Sequence, residues 1–334
     1  MRKTIIIGAL ALLASSGLVS CNKQADFTVG ILQCDDFGAL NDARDAFIKA
    51  INEYPALKGK SVSFIKQNAY GKDSDQNSMA KSLVNKKVDL LLGISTGSSK
   101  ALKNARDEAG LTTPLLFTAV TDPVADALVP SLKGHNSTVT GTSDDNPVEA
   151  QISMIKNCFP SKDPADIKLG ILYSSDETNS QVQARRAQDQ ATKDGIGTVT
   201  FATVNSVADI TPTARNLSNR VDVIYIPTDN KISKNMASLK EALDTYHTLC
   251  VVGEEGMVRS GGHLSYSIDY SSLGEMTGVM GAQILSKEKT IQEIDATKIE
   301  DPSKLTKVYN SVALSDSGIT LPASALEGFV DLGR

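Results

Sequence analysis

Two stretches decide the fold: Asp89-Leu90-Leu91-Leu92-Gly93-Ile94-Ser95-Thr96 and, 133 residues later, Asp222-Val223-Ile224-Tyr225-Ile226-Pro227-Thr228-Asp229. Each has an acidic start, an apolar run and a hydroxyl-bearing exit. Short apolar runs between amphipathic stretches read as strands buried on both faces of a parallel sheet. A second echo sets Val29-Gly30-Ile31-Leu32 against Leu169-Gly170-Ile171-Leu172, at an offset of 140 residues. Two echoes at nearly one offset predict a duplicated α/β unit, two Rossmann-like lobes with parallel sheets. The period is far too long for a solenoid.

Working outward, strands are expected over 28–33, 62–67, 88–94 and 115–119, with helices over 79–85 and 98–109. A further helix carries Leu40, Ala43, Phe47, Ile51 and Tyr54 at helical spacing. After Asn146 the pattern restarts, with helices over 152–159, 180–193, 209–219 and 232–246. The accompanying strands cover 169–173, 199–204, 221–226 and 249–253. Ligands of open parallel sheets bind beyond the carboxyl ends of the strands. Two facing lobes therefore predict one cleft, lined by residues 33–37, 95–99, 119–122, 174–180, 228–230 and 253–256. Those segments are small, hydroxylated or acidic, which suits a small polar solute.

The chain of 334 residues, 41% hydrophobic and 22% charged, has room for two domains with separate cores. A net charge of −5 argues against a nucleic-acid partner, which would call for a basic surface. The amino terminus reads as a processing signal: Arg2 and Lys3, an apolar run from Ile5 to Ala14, then small residues up to Cys21. Leu18-Val19-Ser20-Cys21 resembles a bacterial lipobox, so residues 1–20 are expected to be removed. Cys21 would then carry acyl chains such as palmitate, and residues 21–26 would be a tether. Losing Arg2 and Lys3, with no acid in the leader, moves the charge from −5 to −7. The remaining Cys34, Cys158 and Cys250 are too far apart in sequence for a CxxC site.

Gly93-Ile94-Ser95-Thr96-Gly97 matches the G-x-S-x-G nucleophile elbow, which makes a serine hydrolase using Ser95 one alternative. The chain has only His135, His247 and His263 to serve as its base, and none falls on the expected cleft rim. The same turn read as a binding element is more economical: Thr96, Gly97, Ser98 and Ser99 open a helix whose free N–H groups can hold a carboxylate. Thr121, before Asp122-Pro123, is a candidate contact. Asp229 is the expected ammonium partner, with Glu254, Glu255 and Glu177 as alternative acids. Asp229 would otherwise serve as a helix cap. Tyr173, Tyr225 and Tyr270 are candidates to cover an apolar side chain. Asp35-Asp36, Asp73/Asp75 and Asp144-Asp145 lack calcium-loop spacing, and no phosphate-binding glycine loop occurs. Neither metal nor cofactor is expected.

Several ordered segments resemble one family: Val29 to Gln33, Ala119 to Val124, Val139 to Asp144, Leu172-Tyr173 with Glu177, Asn179 and Ser180, Asp222 to Asn230, Ile268-Asp269-Tyr270 with Leu273-Gly274, and Asn310 to Pro322. They are similar to the solute-binding lipoproteins of ABC importers associated with tryptophan and other aromatic amino acids. The resemblance implies a type I periplasmic-binding-protein fold, two lobes joined by three crossing strands that close around the ligand, and no enzymatic activity. It implies a ligand near Thr96, Thr121, Ser143, Asn179, Ser180, Asp229 and Asn230. The residue reading adds Gln33, Gly97, Ser98 and Glu254.

The expected lobes are 27–144 with 270–309, and 146–268 with 311–334; the hinge is expected at 144–147, 269–271 and 309–311. The implied partners are an amino-acid ligand, an ABC permease with its ATPase, and a membrane reached only through the lipid of an exported monomer. A sensor for another small polar solute is the alternative binding role. One departure concerns the ligand: Cys34-Asp35-Asp36-Phe37 stands where relatives tend to have an aromatic residue or His. With only 8 Tyr, 8 Phe and no Trp, an amino acid is better supported than an aromatic one.

Overall fold

A computed structural model describes residues 25–134 and 136–333. The leader, the expected lipidation site Cys21 and His135 lie outside the described residues. The first part of the chain runs β1 (Phe27–Gln33), α1 (Gly38–Glu53), β2 (Val62–Asn68), α2 (Asp73–Asn85), β3 (Leu90–Ile94), α3 (Thr96–Glu108), β4 (Leu115–Val120) and β5 (Val139–Ser143). The second opens with two short helices, α4 (Val148–Ser153) and α5 (Ile155–Cys158). It continues through β6 (Lys168–Ser174), α6 (Thr178–Lys193), β7 (Thr198–Val204), α7 (Val207–Ser218), β8 (Val223–Ile226) and α8 (Asn230–Lys234). There follow α9 (Lys240–Tyr246), β9 (Leu249–Val252), α10 (Glu255–Arg259), β10 (Leu264–Ile268) and α11 (Tyr270–Leu285). The chain closes with β11 (Thr297–Lys298), β12 (Leu305–Tyr309), α12 (Ser311–Asp316) and β13 (Val330–Asp331).

Two sheets result, in the orders β11-β5-β4-β3-β1-β2 and β13-β12-β10-β9-β8-β6-β7. The duplication read from the sequence reappears in the register. Val29 stands opposite Phe64 and Leu90, while its counterpart Leu169 stands opposite Val199 and Val223. All these pairings are parallel, so each strand needs a covering helix on the way to the next. The residues of β3 are buried throughout because both faces of the sheet are covered. Val29, Ile31, Leu90 and Leu92 pack toward Phe47, Ile51 and Leu273, while Leu91 and Phe117 pack toward Leu83 and Leu102. The second sheet is likewise sandwiched, with Ile171 and Tyr225 on one face and Ile224 and Ile226 on the other.

The lobes exchange their last helices. After β5 the chain crosses over and α4 packs on α6; after β10 it returns and α11 packs on α1. That second contact is close: a Cβ on Gly274 would lie 2.0 Å from the Ala43 carbonyl oxygen, so only glycine lets the two helices approach this far. The crossings are tied together by side chains. Asn146 donates to the Asp144 carbonyl (3.0 Å) and accepts from Ile268 N–H (3.1 Å), and the Tyr270 hydroxyl donates to Asp144 (2.6 Å). Asp145 accepts from Arg186 (2.5 Å) and Lys298 (2.9 Å).

Three expectations need correction. Residues 305–309 do not belong with the first lobe: β12 pairs antiparallel with β10 in the second sheet, so the third crossing lies between β11 and β12 rather than at 309–311. The single helix expected over 232–246 is α8, a 3₁₀ turn at Met236–Ser238, and α9. Similarly, the helix expected over 152–159 is split at Met154. In each split, apolar residues continue at helical spacing through the break, so periodicity alone does not mark it. Among the described residues, no helix is long and apolar enough to cross a membrane.

Candidate functional site

The chemistry gathers where strand ends of the two sheets face each other. A small cavity of about 20 Å³ lies there. The first lobe contributes Phe37 and Leu40 from the start of α1, Ser95 and Thr96 from the β3–α3 turn, and Ala119 and Thr121 from the end of β4. From the second lobe come Asn179, Thr228, Asp229, Asn230, Ser233 and Glu254. Asp144 and Tyr270 close it from the crossings. Its described lining holds three carboxylates and no Lys or Arg. A wider mouth beyond it is bordered by Gly97, Lys100, Tyr70 and Val207. Across that mouth Lys234 Nζ reaches Asp35 (2.6 Å) and stands 5.8 Å from the Tyr70 ring centroid. Cys34 Sγ meets Asn230 Oδ1 (3.6 Å), and Thr178 donates to Asp126 (3.1 Å).

Backbone strain marks the first lobe's share of the site. Ser95 has φ +86° and Ala119 φ +55°, both in a region that residues with a Cβ avoid. Such strain gathers at functional sites, where the surrounding fold must hold it. Ser95 occupies the N-cap position of α3 yet makes no side-chain cap hydrogen bond. Its Oγ is buried near the Cys34 thiol and has no partner of normal hydrogen-bond geometry among the described residues. The first amides of α3 are likewise without intrahelical acceptors by the geometry of any helix.

The acids differ in how the protein uses them. Asp229 is saturated: its carboxylate accepts from Ser174 N–H (2.6 Å), the Ser174 hydroxyl (2.8 Å) and Ile232 N–H (2.9 Å). Burial pushes its pKa upward, and these donors oppose the shift. Glu177 accepts from Asn230 N–H (3.0 Å), the Asn230 amide (2.6 Å) and Lys231 N–H (3.0 Å). Burial, with Asp229 nearby, raises its pKa to about 8. Asp144 is held by Tyr270 and Thr121 (3.1 Å). Glu254 is different. Its Oε2 caps Gly256 N–H at the start of α10, while Oε1 is buried without a partner among the described residues. Burial raises its pKa to about 7, and Glu255 and Asp42 add to the shift. A Cβ on Gly253 would lie 2.4 Å from Thr228 N, so the glycine lets the Glu254 turn sit against the Asp229 loop.

Of the residues expected to meet a ligand, Thr96, Thr121, Asn179, Asp229, Asn230 and Glu254 line the inner cavity, and Gly97 lines its mouth. Four do not line it. Gln33 is bound to the Asp35 carbonyl (2.7 Å), Asn41 (2.8 Å) and Arg44 (3.2 Å). Ser98 donates to Gln76 (3.1 Å), Ser143 donates to the Thr121 carbonyl (2.9 Å), and Ser180 lies under the Thr228 carbonyl (3.4 Å). These four hold the lining segments in place. Tyr270 reaches the cavity, whereas Tyr225 is in the core on Gln151 (2.7 Å) and Tyr173 packs edge-on against Phe201. Leu40, Asp144 and Ser233 were missed, since they follow or flank the strand ends instead of occupying them.

Ser95 has no histidine partner among the described residues. His263 accepts from Cys250 N–H (2.9 Å) and lies against Ser317 (3.1 Å), and His247 meets the Ser317 carbonyl (2.8 Å).

The chain belongs to the ABC transporter substrate binding protein family, whose profile matches residues 28–328. A tyrosine-binding protein of Clostridioides difficile strain R20291 is 30% identical over 284 residues, 84% of this chain and 79% of that protein. The ABC domain of Streptococcus pneumoniae in complex with L-Trp is 29% identical, covers 91% of this chain and 99% of its own, and superposes with a TM-score of 0.80. The ligand-free, open structure of a Clostridium difficile substrate-binding protein with adhesive properties, 28% identical at the same coverages, superposes less well, at 0.66. Family and fold are thus those of type I periplasmic binding proteins, solute binders and not enzymes.

The saturated carboxylate of Asp229 makes a direct prediction. Asp229→Asn replaces one accepting oxygen by an NH2 donor that faces donors already in place, so thermal denaturation should show a loss of about 1–3 kcal/mol. An unchanged melting temperature would mean that the carboxylate is not needed as the cap and anchor of the α8 turn.

Proposed function

We propose that this protein is the extracytoplasmic receptor of an ABC importer, tethered through lipid on Cys21, and that its two lobes close around a small α-amino acid. The observation that carries the reading is the start of α3. A helix N-terminus favours an anion through its free amides and its dipole. Here the N-cap hydroxyl of Ser95 leaves those amides uncapped and lies in the cavity wall beside Thr96. No cationic side chain among the described lining competes for a carboxylate. Phe37, Leu40 and Tyr270 offer the apolar surface that an aromatic side chain would cover. The tyrosine-binding relative and the L-Trp complex support that choice of side chain.

Closure follows from contacts on both lobes. A ligand that touches Ser95 and Thr96 on one side and the second lobe's polar wall on the other favours the closed form by its differential affinity. The closer superposition on the tryptophan complex than on the open, ligand-free neighbour supports the reading that the lobes here are closed. The permease and its ATPase would then read the closed form.

Calorimetry of the protein lacking residues 1–20 against free amino acids, sugars and nucleosides tests the ligand class. At least one amino acid, tyrosine or tryptophan foremost, should bind at micromolar affinity or better. Binding confined to sugars or nucleosides would overturn the reading. The tether has its own test: radiolabelled palmitate fed to expressing cells should label the wild type and not Cys21→Ser, which should leave the membrane fraction. Label retained on the variant would contradict lipidation at Cys21.

A further inference from the structure

The strongest unexplained feature of the cavity is Glu254. A buried polar atom without a hydrogen bond is costly, and a buried carboxylate oxygen more so. The other acids at the cavity's edge, Asp144, Glu177 and Asp229, are answered by backbone or side-chain donors. Glu254 is met only by the backbone amides of Gly256 and Met257, its Oε1 has no hydrogen bond of normal geometry among the described residues, and the residue is just 2% exposed. The groups facing it offer no counter-charge. Glu255 is its neighbour, Asp42 approaches from α1 and Tyr270 from α11, while Asp229 and Asp144 share the cavity wall. Arg259, on the same short helix, is committed to Glu255 (3.0 Å). An acid held this way is completed by a cation that enters the cavity.

Resting on the amino-acid reading above, we propose that Glu254, and not Asp229, is the counter-ion for the ligand's ammonium group. The unoccupied Oε1 then receives one N–H of a primary ammonium. The remaining N–H groups face Asn179, Asn230 and the hydroxyls of the second lobe's wall. The ligand spans the cleft, its carboxylate toward α3 of one lobe and its ammonium on the β9–α10 turn of the other. Recognition of both ends therefore needs both lobes. Burial raises the pKa of Glu254 to about 7 without ligand. The ammonium requires the carboxylate form, so below that pH binding must expel the Glu254 proton to solvent. Affinity for an ammonium-bearing ligand should then fall as pH drops below about 7, approaching tenfold per pH unit.

Glu254→Gln tests this, because glutamine keeps an oxygen that can cap Gly256 but carries no charge. Calorimetry uses L-tyrosine or L-tryptophan, whichever the wild type binds, and the matching 3-arylpropanoate without its amine. At pH 8 the variant should bind the amino acid more than tenfold more weakly than the wild type. It should bind the amine-free analogue about as well as the wild type or better. Its ligand-free form should melt higher at pH 8, since a buried charge has been removed. Undiminished amino-acid affinity in a folded variant would overturn the proposal. If the variant does not fold, the wild type still decides. Amino-acid affinity that weakens from pH 8 to pH 6, beside analogue affinity that does not, supports Glu254; parallel profiles contradict it. Absence of any amino-acid binding to the wild type would instead refute the ligand class.

Discussion

A carboxylate taken out of water must be answered by donors or by a cation, and this constraint organises the centre of the molecule. Strand ends of the two lobes bring Asp144, Glu177, Asp229 and Glu254 to the region between the sheets. The fold answers three of them itself. Asp144 binds the crossings together through Tyr270, Glu177 pins the Asn230 loop, and Asp229 anchors that loop to the end of β6. Each satisfied acid thus fixes the geometry of a lining segment. The fourth, Glu254, keeps one oxygen without a hydrogen-bond partner of normal geometry among the described residues. A similar lack of partners recurs across the cleft at Ser95, whose backbone is strained and whose hydroxyl caps no α3 amide.

The interlocked lobes give this arrangement its mechanics. Because α4 follows β5 yet packs on α6, and α11 follows β10 yet packs on α1, neither lobe is complete without a segment that begins in the other. The cavity walls are therefore carried on two rigid sandwiches joined by short crossings. In the closure proposed above, small rotations about those crossings would move Glu254 relative to Ser95 and leave both cores intact. The ion pair of Lys234 with Asp35 across the mouth, and the Thr178–Asp126 contact, are made only when the lobes face each other at this distance.

Much of the fold was legible because period and register are local properties. The apolar runs at 88–94 and 221–226 and the helical spacing of Leu40, Ala43, Phe47 and Ile51 needed no partner to be read. The third crossing was not legible. The strand Leu305–Tyr309 is a short β-run like any other, and its place is decided by an antiparallel pairing with β10 that sequence spacing does not encode. At the site, the rule that ligands sit beyond strand ends named segments that the structure brings to one cavity. It could not say which residue in a segment faces inward. Ser95 and Thr96 face the cavity and Ser98 does not, because one unusual φ at Ser95 sets the turn. Asp229 and Glu254 are indistinguishable as acids after strands; only the count of donors around each separates a spent carboxylate from an available one.

The central claim is that one α-amino acid bridges the lobes by its two charged ends. A crystal structure of the protein with its bound amino acid tests it most directly. The account predicts the ligand carboxylate on the amides of Thr96 and Gly97 with Ser95 Oγ, and the ammonium within hydrogen-bond distance of Glu254 Oε1. An ammonium seated on Asp229, or a ligand lying wholly on one lobe, would contradict it.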